Sequence, residues 1–253
     1  MKRRGLVILA GAVVTALLGA GVLSFPLPYV VLGPGPTVDT LGSSNGRPVI
    51  TVDGAKVSPS AGQLRLTTVR VETEVGPWEA LASWIDSDLA LVPRSVAYPP
   101  GLTDRQNDER NAAQFTASQR SAETVAAREL GHPPYTVTFD LDEIGGPSAG
   151  LMFTLGLIDK LTPADLTGGR IIAGTGTVDD TGAVGPISGI PQKLTGAEAA
   201  GAQLFLVPER NCAEALANAV DGLPLVKVAT VSEALAALRT YAAGGTPALC
   251  APA

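Results

Sequence analysis

Between Ser148 and Lys160 the sequence SAGLMFTLGLIDK carries almost no polar side chain until its last turn, and a helix that is apolar all round must be covered all round. It therefore demands a layered domain built around it. On its N-terminal side, Tyr135, Val137, Phe139 and Leu141 alternate with Thr136, Thr138, Asp140 and Asp142, the pattern of a half-buried strand. Strand and helix are joined through Gly145, Gly146 and Pro147. Glycine opens backbone conformations closed to other residues, and proline suits the first helical turn, where its missing N–H costs nothing. Ser148 is thereby placed at a helix N-terminus. There the free N–H groups of the Gly146–Ser148 turn and the helix dipole can hold a developing oxyanion, so Ser148 reads as a candidate nucleophile. A serine after Gly-Gly-Pro is also an ordinary N-cap, and on this stretch alone that is the commoner use.

The remaining C-terminal elements form an irregular alternation. Arg170 to Val178 reads as a strand, with a turn at Asp179 to Gly182 and a return at Ala183 to Ile187. A helix over Pro191 to Ala200 opens on proline and stops at Gly201. Strand Leu204 to Val207, helix Cys212 to Ala219, strand Leu225 to Val228 and helix Val231 to Tyr241 follow. This order predicts an α/β domain of α+β character with a mixed sheet, rather than a regularly wound βαβ fold.

Upstream, strands are expected at Tyr29 to Leu32, Val49 to Val52 and Leu64 to Val71. Trp78, Leu81, Ala82 and Ile85 fall at helical spacing, which predicts a short helix packed into a core. From Thr103 to Leu130 a polar, alanine-rich run without glycine or proline predicts one long helix with a thin apolar face, suited to an edge of the fold or to a partner. His132-Pro133-Pro134 reads as a linker. The expected organisation is 1–28 membrane helix, 29–131 a small β-rich portion with the long helix, and 132–253 the C-terminal domain.

The membrane expectation comes from the N-terminus. Gly5 to Leu23 carries no charge, about the length needed to cross a bilayer, and Lys2-Arg3-Arg4 should stay in the cytoplasm. A retained anchor and a cleaved signal peptide both fit, the apolar run being long for the latter. Either places the rest of the chain outside the cytoplasm, at the cell membrane if the anchor is kept. In that compartment Cys212 and Cys250, too far apart for a C-x-x-C motif, read as a structural disulfide, with two buried thiols as the alternative.

With net charge −6 and no basic run beyond the anchor's flank, nucleic acid is excluded as a partner. Gly174-Thr175-Gly176 lacks the third glycine of a dinucleotide fingerprint, no P-loop occurs, and one histidine with two distant cysteines makes no zinc cluster. No cofactor or metal is expected.

If Ser148 is activated by a side chain, histidine is an unsuitable base. Gly146-Pro147-Ser148-Ala149-Gly150 fits G-x-S-x-G, but the histidine of that elbow follows the serine, and His132 precedes it. A lysine remains, as in the Ser-Lys dyad. Lys160 is twelve residues along the same helix, about 18 Å away. Lys227 lies in a distant strand and Lys56 in an upstream loop. Lys193 opens a helix among small and apolar residues that can desolvate an ammonium, although a lone lysine on a helix is more often solvated.

GGPSAG at Gly145 to Gly150, AGTGTV at Ala173 to Val178, PISGIPQK at Pro186 to Lys193 and AAGAQLFLVPERN at Ala199 to Asn211 resemble, in order and spacing, the motifs of the Lon-type serine peptidase domain. The whole chain is similar to the membrane-anchored, ATP-independent Lon-like peptidases that usually carry a PDZ domain. The resemblance implies Ser148 as nucleophile, Lys193 as general base, Thr175 as the hydroxyl that orients the amine, and protein or peptide substrates. ATP-dependent Lon enzymes have aspartate three residues before the serine, where Gly145 stands here. The PDZ domain expected between the long helix and the strand leading to Ser148 is missing, since four residues separate Leu130 from Tyr135. Substrates must be selected without it, or through a PDZ-bearing partner or a second copy of the chain. The alternative function is a non-catalytic envelope scaffold that retains the peptidase fold.

Overall fold

The computed structural model describes residues 2–24, 26–132, 134–141 and 145–252. Phe25, Pro133 and Asp142, read from the sequence as part of a helix break, a linker and a strand end, lie outside them. In chain order come α1 (Lys2–Ser24), β1 (Tyr29–Asp39), β2 (Ser43–Ser44), β3 (Arg47–Pro48), β4 (Ile50–Asp53) and β5 (Gln63–Glu72). Then follow α2 (Pro77–Ile85), β6 (Ala90–Pro93), α3 (Arg94–Ala97), α4 (Asp104–Glu129) and β7 (Thr136–Phe139). A 3₁₀ turn (Pro147–Ala149) leads into α5 (Gly150–Leu161), β8 (Ile171–Gly174), β9 (Thr177–Val178), β10 (Val184–Gly185) and α6 (Ile190–Ala199). The chain closes with β11 (Leu204–Pro208), α7 (Cys212–Ala217), β12 (Leu225–Val228) and α8 (Val231–Ala242).

The main sheet has the order β12-β11-β8-β5-β1-β6. Neighbours β12, β11, β8 and β5 are parallel, whereas β1 and β6 are antiparallel, so the sheet is mixed as expected. β7 pairs antiparallel with β4, and β9 with β10 as a hairpin. These small ribbons interrupt any regular winding.

Contacts divide the chain into two compact units, 1–33 with 71–100, and 34–70 with 101–253. The division differs from the expected boundaries because β5, an upstream strand, pairs with β8, and because α4 packs on α5. β5 as far as Arg70, and all of α4, fall in the same unit as α5 and β8.

In that larger unit, every residue of α5 from Gly150 to Asp159 is buried. Phe153 meets Phe115 of α4 edge-on at 5.6 Å between ring centroids, and Phe139 of β7 at 4.9 Å. α4 is capped by Thr103, whose hydroxyl accepts from Gln106 N while the Gln106 side chain accepts from Thr103 N, a reciprocal capping box. Its thin buried stripe includes Phe115, Ala122, Val125 and Ala126. At the other end of the unit a disulfide joins Cys212 to Cys250, and Cys250 N donates to Leu225 O, so the C-terminal segment is held on β12.

In the smaller unit, α1 is the one helix among the described residues long and apolar enough to cross a membrane. α2 forms as expected but does not pack as expected. Ser83 is its buried residue, while Trp78, Leu81 and Ile85 are 69%, 44% and 80% exposed. The helix has apolar side chains over most of its circumference, so periodicity did not define which side faces inward.

The central position of Phe153 predicts that Phe153→Ala lowers stability by about 3–5 kcal/mol. Chemical denaturation of the full chain in detergent measures this loss; a change below about 1 kcal/mol would contradict the packing around α5.

Candidate active site

The glycine turn reaches Ser148 through Gly146, whose φ of 87° and ψ of 164° fall where glycine alone is at ease. Ser148 itself sits in the 3₁₀ turn just before α5, slightly earlier than the α-helical position expected. Its carbonyl is fixed by two donors from the break between β8 and β9. Gly176 N donates at 2.9 Å and the Thr175 hydroxyl at 3.2 Å. Leu151 N returns a bond to Gly176 O at 3.1 Å, which locks the start of α5 to the same break.

That break exists because of Gly176. A side chain there would come within 2.8 Å of Val184, and the residue's φ is 156°. Arg170 to Val178, expected as one continuous strand, is therefore divided: β8 ends at Gly174 and β9 begins at Thr177. Thr175 is fully buried, and its main-chain N–H donates to Leu206 O on β11.

Lys193 arrives from α6. Gly189, with φ 76° and ψ 36°, precedes the helix in the left-handed region, and a side chain there would also strike Val69 at 2.6 Å. Asn211 then holds the incoming crossover: its Oδ1 accepts from Ile187 N at 3.0 Å and its Nδ2 donates to Ile187 O at 2.9 Å. This two-point clamp was missed from the sequence, where Asn211 was only the last letter of a motif. Lys193 lies within the first turn of α6, 3% exposed, and its Nζ donates to Thr175 Oγ1 at 3.0 Å. The amine, the threonine hydroxyl and the Ser148 carbonyl thus form one chain. Burial is the sole cause of the shift in the Lys193 amine, which falls from its usual 10.5 to about 7.

The other lysines stand where they do not compete. Lys160 donates to Leu41 O from the far end of α5, Lys227 pairs with Glu209 at 2.9 Å, and Lys56 is exposed. No group of three or more His, Cys, Asp or Glu able to hold a metal occurs among the described residues. Of the two amides assigned to the oxyanion turn, Gly146 N donates to Asn111 O of α4 at 3.0 Å. α4 therefore also shapes the loop before the serine, a role its polar sequence did not announce.

Residues 143–239 match the family model of the Lon protease (S16) C-terminal proteolytic domain. Ser148, Thr175 and Lys193 all fall within that stretch. Over this part the chain is similar to a serine-peptidase domain, and its mixed α/β fold is consistent with one. Lon protease 2 of Bacillus subtilis (strain 168) is 33% identical over 94 residues, 36% of this chain. The chain spans only 16% of the length of that relative.

A buried amine carries a stability penalty with a definite sign. The unfolded lysine keeps its proton up to about 10.5 and the folded one only to about 7, so between these values the unfolded state binds more protons and stability rises with pH. Lys193→Met removes that penalty and is expected to stabilise the protein by up to about 4 kcal/mol near neutral pH, the gain shrinking toward pH 10. Denaturation of both proteins at the two pH values measures it. A less stable Lys193→Met protein near neutrality would contradict the desolvated amine.

Proposed function

We propose that this protein is a membrane-anchored, extracytoplasmic serine endopeptidase that works without ATP and cleaves envelope or membrane-associated proteins through Ser148 and Lys193. The observation that carries the proposal is the buried, desolvated Lys193 amine, bonded to Thr175, whose hydroxyl bonds in turn to the Ser148 carbonyl. The likeness of residues 143–239 to a Lon proteolytic domain supports it. The apolar α1 supports the anchor.

In the proposed reaction, neutral Lys193 takes the Ser148 proton as Oγ attacks the scissile carbonyl carbon. The resulting oxyanion is held by main-chain N–H groups of the Gly146–Ser148 turn, although Gly146 N donates to Asn111 O in the structure. The tetrahedral species collapses, the C–N bond breaks, and the Lys193 ammonium returns the proton to the leaving amine. Water, deprotonated by the same amine, then attacks the acyl carbon; the C–Oγ bond to Ser148 breaks, the Lys193 ammonium returns the proton to Oγ, and the acid is released. Thr175 keeps Nζ in place through both halves, which is the threonine role the family resemblance implies. Without an internal PDZ domain, substrate choice falls to the peptidase cleft itself, a second copy or a PDZ-bearing partner.

Cleavage of casein or a quenched fluorescent peptide by the full chain tests the proposal. Ser148→Ala and Lys193→Ala should each lower turnover by at least about a thousandfold. Lys193→Arg should be equally inactive, because a guanidinium does not release its proton in the working range. Wild-type turnover should rise through a pH of about 7, the value to which burial brings the amine. Equal activity in wild type and both alanine variants would leave the protein as a scaffold with a peptidase fold.

A further inference from the structure

The two tryptophans of the chain both lie on α2, and both are exposed, Trp78 by 69% and Trp84 by 84%. With Leu81 at 44% and Ile85 at 80% they form an apolar arc on the solvent side of a nine-residue helix. At about 100° per residue these four span roughly 120° with Pro77 between them, Ala82 extends the arc to roughly 160°, and no charge falls within it. Such a face on a soluble surface calls for an occupant.

Hydrogen bonds within the smaller unit say where that face stands. Leu27, three residues after α1 ends at Ser24, donates its N–H to Val75 O at 2.8 Å, and α2 starts two residues later at Pro77. Arg94 N, at the start of α3, donates to Pro28 O at 3.0 Å. β1 and β6 pair from Tyr29 to Leu32 and continue the same tie. Three extended residues reach roughly 10 Å and two more roughly 7 Å, so the first turn of α2 is tethered within about 20 Å of the helix end. The apolar stretch Arg3–Gly21 has 19 residues, and at 1.5 Å per residue it is matched to a hydrocarbon core of about 30 Å. Its C-terminal end would lie at the membrane surface, with α2 beside it.

We propose that the Trp78–Leu81–Trp84–Ile85 face of α2 is a membrane-interface contact, seated in the headgroup and upper acyl region of the bilayer that α1 spans. Tryptophan prefers that layer because its ring is apolar while its N–H can still find water or a headgroup oxygen. The surrounding charge selects the lipid class. Glu79 lies on α2 outside the arc, and Glu72, Glu74, Asp86 and Asp88 flank the helix in sequence, against Arg94, so anionic headgroups are not what attracts it. The contact is with zwitterionic lipid and is driven by apolar burial. The inference depends on the reading of α1 as a membrane span, and both readings must be separable in the test.

Because the tryptophans lie only on α2, their emission reports on this face alone. The full chain is reconstituted in phosphatidylcholine vesicles with brominated acyl chains and in the same vesicles without bromine. Emission should be blue-shifted and at least about twofold weaker with bromine, as expected for a face inserted about 5–10 Å. Leu81→Asp with Ile85→Asp should abolish the quenching while the protein stays in the pellet after alkaline carbonate extraction. Addition of phosphatidylserine should not increase quenching. A carbonate-resistant wild type with unquenched tryptophans overturns the inference and leaves α1 as a span. Release of the wild type by carbonate overturns the reading of α1 and the inference with it. Tryptophans shielded from aqueous iodide yet unquenched by brominated lipid mean that protein, a second copy or another chain, covers the face, and that result also overturns it.

Discussion

Everything at the candidate site depends on one amine being kept away from water. Lys193 is 3% exposed, and its proton is lost near pH 7 because burial disfavours the ammonium. A charged lysine there would have to be paired with an anion. The amine instead donates to a hydroxyl, Thr175 Oγ1, which donates in turn to the Ser148 carbonyl. Three elements must meet for this: the 3₁₀ turn before α5, the break after β8, and the start of α6. Apolar α5 holds the first two together, since Leu151 and Ser148 both bond to Gly176.

Glycines set the distances. Gly176 lets the chain leave the ladder after Thr175, and Gly189 lets α6 begin where a side chain would otherwise collide with Val69. Asn211 then fixes Ile187 through both its main-chain N–H and its carbonyl. α4, long and polar, closes the other side by accepting the Gly146 N–H on Asn111 O, while Arg128 reaches Asp180 O and Thr181 O in the β9–β10 turn. Its packing is thus directed at the two loops that carry and support the serine.

Much of this was legible in the sequence for physical reasons. The nearly all-apolar run from Gly150 to Leu157 reads as a buried helix, and the Gly-Gly-Pro turn delivers Ser148 to its entrance. Lys193 could be separated from the other lysines by reach and by its apolar neighbours. Three features were not legible. The inward side of α2 was ambiguous because apolar residues surround it, so Trp78 and Ile85 were assigned to a core they do not enter. The pairing of β5 with β8 is a contact between residues far apart in sequence, and periodicity does not encode partners. The Asn211 clamp uses a polar side chain whose value depends wholly on where Ile187 arrives.

The central claim is that Lys193 is a neutral base held ready by burial, and its titration can be observed on the nitrogen itself. Full-length protein labelled with ¹⁵N and ¹³C at lysine, with Lys193→Arg used to assign the resonance, is titrated by NMR in detergent from acid to alkaline pH. The account predicts a Lys193 Nζ transition at about 7, well below the ordinary 10.5. A Lys193 transition that remained near 10.5 would contradict it, because the amine would then be protonated around neutral pH and could not accept the Ser148 proton.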